Sequence, residues 1–258
     1  MSSSTFKVEL GNTRDKFLTG TGRIAQLSLF TGWADTVLGT DRGRTKYLEH
    51  RTTEEIKKYA DVFPDLQLYT KQYGPREGFW RWSRGLPRKV NRSLYQHLLV
   101  FLVTIFEAFI EDVLLLVFDK EPRCLSSGRE ISSEKVIELG DYDSVIDHLA
   151  SQKVADVLSG DWYKIVEEFK KLFNIDLCSE IDCRSIAEVF EIRHAVVHDV
   201  GRVDQRFVSK VNSSQWGISY SLDKEIVLNR QVLERMLACV EHAVDFIHDS
   251  VLSKFGAN

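Results

Sequence analysis

Apolar residues recur every three to four positions over most of the chain beyond residue 90, which predicts a succession of amphipathic helices. The longest run is Ser93 to Phe118. There Leu99, Leu102, Val103, Phe106, Ile110, Val113 and Val117 line one broad face. Its length would suit a membrane span. Glu107, Glu111 and Asp112 lie near its centre, however, and each acid there would cost about 2.5–3.5 kcal/mol on insertion. The segment therefore reads as a buried core helix. A short helix follows from Ser133 to Leu139, after a loop from Pro122. Asp143 to Ser159 is another helix, with Val145, Ile146, Leu149, Val154, Val157 and Leu158 as its apolar positions. Asp161 caps Trp162 to Phe173, where Ile165, Val166, Phe169 and Phe173 recur at helical spacing and Trp162 reads as a core anchor. Asn229 starts a helix to about Lys254, whose buried side is Val232, Leu233, Met236, Leu237, Val240, Val244, Ile247 and Val251.

Elsewhere the pattern is broken. Over residues 1–40, Gly20, Gly22, Gly32 and Gly39 interrupt the apolar positions, so only short helices are expected. The order of acids and bases after Thr53 favours a helix that Pro64 stops. Asp65 to Tyr73 suits a second short one. Past Gly201 the period shortens: Gln215 to Tyr220 and Glu225 to Leu228 predict a small β-hairpin turning at Leu222-Asp223-Lys224. His242 and His248 fall on no common face and read as surface residues. The expected fold is all-α: a helical bundle of segments 93–118, 143–159, 161–173, 185–200 and 229–254. A β-hairpin precedes its last helix. Residues 1–90 form a mostly helical N-terminal extension and 91–258 the bundle domain.

One stretch does not fit simple packing: Ser185 to Phe207, SIAEVFEIRHAVVHDVGRVDQRF. As a helix ending near Gly201, it gathers Ile186, Val189, Phe190, Val196, Val197 and Val200 on one stripe, with Arg193 in the middle. His194 and His198 share the flank of that stripe. A buried arginine is costly unless it is paired or meets an anion. Three readings compete. The arginine is a core residue paired with a carboxylate, for which Glu107 and Glu111 are the candidates. The histidines hold zinc, although HAVVH lacks the glutamate of HExxH and a further ligand is needed. Or the cluster grips a phosphate, since arginine binds phosphate bidentately and histidine moves protons near neutral pH.

Charge and composition narrow the field. The 258 residues are 43% hydrophobic and 28% charged, with a formal net charge of −4. That suits a soluble globular protein and excludes a general polyanion binder, so any nucleic-acid contact is local. Arg76 to Arg92, REGFWRWSRGLPRKVNR, is the one basic stretch. Arg81, Arg84, Arg88 and Lys89 are interleaved with Trp80 and Trp82, a combination that suits single-stranded nucleic acid; as a plain linker, its rings would pack and its arginines be solvated. Cys124, Cys178, Cys183 and Cys239 form no C-x-x-C pair and suggest no disulfide scaffold. With no apolar leader behind Met1, a reduced, cytoplasmic setting is expected. No Gly-rich phosphate loop, GxSxG elbow or internal repeat is present.

Arg193-His194-Ala195-Val196-Val197-His198 resembles the R-x4-6-H motif of HEPN domains. The following Gly201-Arg202-Val203-Asp204-Gln205-Arg206-Phe207 is similar to the G-x-V-D-x-R-[FY] tail of the RiboL-PSP-HEPN and abortive-infection branches. LLVFLVTIFEAFIEDVLLLVF resembles the first core helix of that family, and the likeness covers roughly residues 90–254. It implies a helical bundle and a homodimer in which the two R-x4-6-H helices meet at the two-fold axis. It implies a metal-independent endoribonuclease with no cofactor and no metal, acting as a toxin or in phage defence, with RNA as substrate and a cognate inhibitor or activator protein as a further partner. The 2′-hydroxyl would attack the adjacent phosphate, leaving a 2′,3′-cyclic phosphate and a 5′-hydroxyl. Arg193 would stabilise the phosphorane, and His198 would act as general base or acid, an imidazole pKa of about 6.5 suiting both. His194 would orient or polarise. Glu107, Glu111 and Asp199 would support them, while Asp204 and Arg206 would fix the loop. A HEPN module that binds RNA or protein without cutting, and an unrelated helical interaction protein, are the other readings.

Overall fold

The computed structural model describes residues 2–39, 64–126 and 131–256. Nine α-helices lie among them: α1 Ser3–Gly39, α2 Pro64–Tyr73, α3 Pro75–Lys120, α4 Ser133–Leu139, α5 Tyr142–Leu158, α6 Trp162–Phe173, α7 Cys183–His198, α8 Gln205–Lys210 and α9 Arg230–Phe255. The described residues contain no strand, only an isolated antiparallel bridge between Arg202 and Glu225. The fold is all-α. The helix expected after Thr53 lies outside the described residues, and Pro64, expected to stop it, begins α2.

Helix α3 is the axis of the bundle, and α1, α2, α5, α7 and α9 all pack on it. The apolar face expected from Leu99 to Val117 is fully buried at each of its seven named positions. The eight apolar positions named for α9 are buried too. Helix α6 forms where its ends are both specified. Asp161 accepts a hydrogen bond from the Lys164 backbone N–H, and Asn174 closes the other end in the left-handed region at φ 48°. Its first residue, Trp162, is fully buried against Phe106 and Phe190, with ring centroids 5.7 and 5.9 Å away. Burying an aromatic side chain of this kind stabilises by about 3 kcal/mol.

Five expectations are corrected. Residues 3–39 form one helix rather than several short ones. Phe6, Leu10, Phe17 and Ile24 fall on one stripe and are buried in the same core as α3 and α9. A helical glycine costs about 1 kcal/mol, less than one of these side chains gains by burial. Gly20 also has a packing reason, since a Cβ there would lie 2.9 Å from Ile105 Cδ1. Second, α3 starts at Pro75 rather than near Ser93, so the backbone of the basic stretch is helix and not linker. Pro75 suits the first turn, where its missing N–H is not needed.

Third, the hairpin does not form. The backbone N–H groups of Trp216 and Ile218 both donate to Ser214 Oγ, and that of Gln215 donates to Glu188. Donors that a ladder would use are spent locally. The later segment pairs instead with the chain just past α7: the Ile226 N–H donates to the Gly201 carbonyl at 2.7 Å, and the Val203 N–H to the Lys224 carbonyl at 2.9 Å. Fourth, Cys178 and Cys183 form a disulfide. The short 3-10 turn Leu177–Ser179 folds the chain back before α7, which brings their Cα atoms to 5.5 Å. Finally, His242 is exposed as expected, whereas the His248 side chain is mostly covered and lies 2.8 Å from the Asp249 carboxylate. No described helix is long and apolar enough to cross a membrane.

Candidate functional site

Helix α7 carries the candidate chemistry, and its start is firmly built. Asp182 accepts from the backbone N–H groups of Arg184 and Ser185, both at 3.2 Å, and from Ser185 Oγ at 2.7 Å. These bonds hold its carboxyl below the usual aspartate range, the Ser185 hydroxyl contributing most. Ile186, Val189 and Phe190 then pack inward, as does Ile192.

The expected stripe divides at Arg193. Val197 and Val200, predicted to be packed, are 48% and 85% exposed. The helix ends at His198 rather than near Gly201, so Val200 leaves the helical register. Both Val200 and Gly201 have positive φ, 53° and 72°. For β-branched Val200 this is a strained conformation. Gly201 suits its positive φ, and a Cβ there would come 2.6 Å from Nε2 of Gln96, whose amide would have to shift. That buried amide donates to the Ile226 carbonyl at 3.0 Å.

Arg193 reaches toward α3, where its Nη2 lies 3.5 Å from Glu107 Oε2. Both side chains are partly covered, at 30% and 25% exposure. The contact is single and long, whereas a well-formed arginine–carboxylate fork makes two shorter bonds. Arg193 Nε is buried with no hydrogen-bond partner. Burial pushes the Glu107 carboxyl above its ordinary pKa, opposed by the charge of Arg193. Glu111, one turn along α3, is exposed, so the pairing falls to Glu107. Arg193 is thus half satisfied, with donor capacity to spare.

The His194 and His198 rings lie against each other, with centroids 4.4 Å apart and planes tilted by 38°. His198 is exposed and His194 partly buried. Burial holds the His194 imidazole below its ordinary pKa; the charges of Arg206 and His198 act in the same direction, and Glu191 and Asp199 oppose them. Asp199, the residue after the helix, is partly covered. At 100° per residue, five positions separate Arg193 and His198 by roughly 140° around the helix. They therefore leave α7 on different sides, Arg193 toward α3 and His198 on the line of His194 and Glu191. Among the described residues no group of three histidine, cysteine or acidic side chains is placed to hold a metal.

Two functional-looking residues escaped the sequence reading: Glu188 and Glu191, both buried. Glu188 accepts from Ser214 Oγ, the Gln215 N–H and the Tyr220 hydroxyl. Burial and this carboxylate push the Tyr220 phenol strongly upward. Glu191 accepts two bonds from Arg206, at 2.9 and 3.4 Å, and lies 3.0 Å from Lys210, which also binds Asp161 at 2.9 Å. A cleft of about 400 Å³ runs beside them, between α7 and the chain past α8. Its carboxylates are already engaged by the protein, so it is a seam that ties the tail to α7. Their signal in the sequence was the i, i+3 pair of acids ahead of a tail bearing Arg206 and Lys210. Asp204 caps α8 through the Phe207 N–H and Arg206 grips Glu191, which fixes the loop as expected.

Of the basic stretch, Arg81 is exposed, and its guanidinium stands 4.4 Å above the Tyr73 ring. The side chains of Trp80, Trp82, Arg84, Arg88 and Lys89 lie outside the described residues. Set against protein families, characterised proteins and solved structures, the chain matches none of them.

Proposed function

We propose that this chain is a HEPN-like endoribonuclease that cuts RNA through attack of the 2′-hydroxyl on the neighbouring phosphate, without a metal. The observation that carries the reading is the state of Arg193. A guanidinium that is partly exposed, and whose one ion-pair contact among the described residues is the long one from Nη2 to Glu107, keeps Nη donors that a phosphorane would take. The exposed His198 then serves as general base or acid, and His194 tunes it. DNA, lacking the 2′-hydroxyl, is not cut by this route. The basic helical segment at residues 76–92 is the proposed contact for the rest of the strand.

The divergence of Arg193 and His198 around α7 argues for a homodimer. A second copy of α7 across a two-fold axis would supply from its own side the group that one copy turns away. Exposed Val197 and Val200 supply apolar surface for that contact. Two such clusters repel each other until an anion lies between them. Such an enzyme fits a cytoplasmic toxin or abortive-infection defence held in check by an inhibitor or released by an activator protein.

A second reading, a HEPN module that binds RNA or a protein without cutting it, draws on the Glu107 contact, which would make Arg193 structural. The deciding experiment incubates purified protein with total RNA and a tRNA pool in EDTA, beside the Arg193→Ala/His198→Ala double variant. Wild-type cleavage to 2′,3′-cyclic phosphate ends, lost in the variant, is expected. RNA binding without cleavage would favour the second reading.

A further inference from the structure

The Cys178–Cys183 disulfide takes no part in the proposed RNA chemistry, and its two ends differ. Cys178 belongs to the short turn Leu177–Ser179 and is exposed. Cys183 is the first residue of α7 and only 7% exposed. A thiolate arriving from solvent therefore reaches Cys178 and not Cys183.

The bond is not what holds this corner closed. The Ile181 N–H donates to the Leu177 carbonyl at 3.1 Å, and the Cys183 N–H to the Ile181 carbonyl at 2.9 Å. Ile175, Leu177 and Ile181 are buried in the core, and Asp182 caps α7 without help from sulfur. The bond spans only five positions, and closing so short a loop removes little entropy from the unfolded chain. Opening it leaves the fold in place and the two thiols near each other.

We infer that Cys178–Cys183 is an exchangeable disulfide: a dithiol from solvent attacks Cys178 and sets Cys183 free at the start of α7. The attacking thiolate bonds to Cys178 Sγ as the bond to Cys183 breaks, and the electron pair leaves on Cys183 Sγ, which takes a proton from water. The second thiolate of the reductant then attacks its partner sulfur in the mixed disulfide and releases Cys178, which is protonated in turn. The dithiol is oxidised to a disulfide and the protein gains two thiols. A small-molecule disulfide runs the steps backward. The helix that carries Arg193 and His198 thus starts from a clasped corner in oxidising surroundings and from an open one in reducing surroundings.

Cys239 is the rival for reclosure. It lies on α9, one turn before His242, whose Nε2 is 3.3 Å from the Glu180 carbonyl in the same corner. Burial, and after it the charge of Asp182, push the Cys239 thiol up to about 11. Little of it is thiolate at neutral pH, so the bond returns to Cys178 and Cys183.

The test uses the full chain under native conditions and needs no RNA. Protein oxidised with glutathione disulfide is treated with dithiothreitol, quenched in acid, unfolded and alkylated, and the labelled cysteines are located by mass spectrometry. Labelling rises from two cysteines, Cys124 and Cys239, to all four, with the helical circular dichroism unchanged. Renewed glutathione disulfide returns it to the same two. In folded Cys183→Ser, glutathione attaches to Cys178; in folded Cys178→Ser it attaches to Cys183 about tenfold more slowly or not at all. Reduction only after unfolding, loss of the helical signal on reduction, or reclosure onto Cys239 or Cys124 overturns the inference. So does equal labelling of the two folded variants, or failure of the oxidised protein to form the bond. Should a variant not fold, the wild-type cycle alone decides.

Discussion

The two halves of α7 are built on opposite terms. In the first, Asp182 caps the helix, Glu188 accepts three hydrogen bonds, Glu191 is clamped by two cations, and the apolar side chains are buried. In the second, Arg193 has one long contact, His198 is exposed, and Val200 turns outward in a strained conformation. Both halves contain charges that a packed helix would not choose. Only the first satisfies them internally. Unsatisfied donors and strain are tolerated where a ligand or partner supplies what the fold withholds, which is why the proposed chemistry is assigned to the second half.

Substitutions can break this contrast, and the largest effect belongs to the second half. Arg193→Ala should lower RNA cleavage about 100-fold or more, while circular dichroism and urea midpoint stay near wild type. An equal loss of stability would make Arg193 structural. Glu188→Ala should do the opposite, costing about 3 kcal/mol in urea denaturation as buried donors lose their acceptor. A change within a few tenths of a kcal/mol would show that the first half is not held this way. Gly201→Ala should cost about 1–3 kcal/mol, because positive φ and the Gln96 amide both oppose a Cβ. Val200→Gly should stabilise by about 1 kcal/mol through released strain, read as a raised melting temperature.

The smallest effect is one of pH. A histidine whose folded pKa is depressed contributes stability that is present above its unfolded value, about 6.5, and is lost as pH falls through the folded one. Urea midpoints should therefore decline below about pH 6.5 in the wild type, and less so in His194→Gln. The carboxylate Asp161, held low chiefly by its hydrogen bond from Lys210, loses its contribution only in more acid solution.

Much of this was legible in the chain. The buried faces of α3 and α9, the capped α6 and the anchoring Trp162 follow from apolar spacing and local capping chemistry, which act over a few residues. Arg193 was legible as an anomaly for the same reason, since a charge centred on a stripe stands out on any wheel. The continuity of α1 was not. Its glycines argue locally for breaks, and only packing of Phe6, Phe17 and Ile24 on α3 and α9 overrides them. The hairpin failed because propensity registers a strand but not the Ser214 hydroxyl and the Glu188 carboxylate that take its backbone donors.

The sequence by itself determined a predominantly helical chain, the register of its long core helices and the stretch where packing logic fails, because periodicity and caps are local and hold in any tertiary setting. Only the tertiary structure decided that Arg193 meets Glu107 and not Glu111, that Glu188 and Glu191 are spent on the tail, that Cys178 bonds Cys183, and that the apolar stripe of α7 opens to solvent beyond Arg193. Each of these depends on what another element brings within a few ångströms, and helix phase alone carries no information about that.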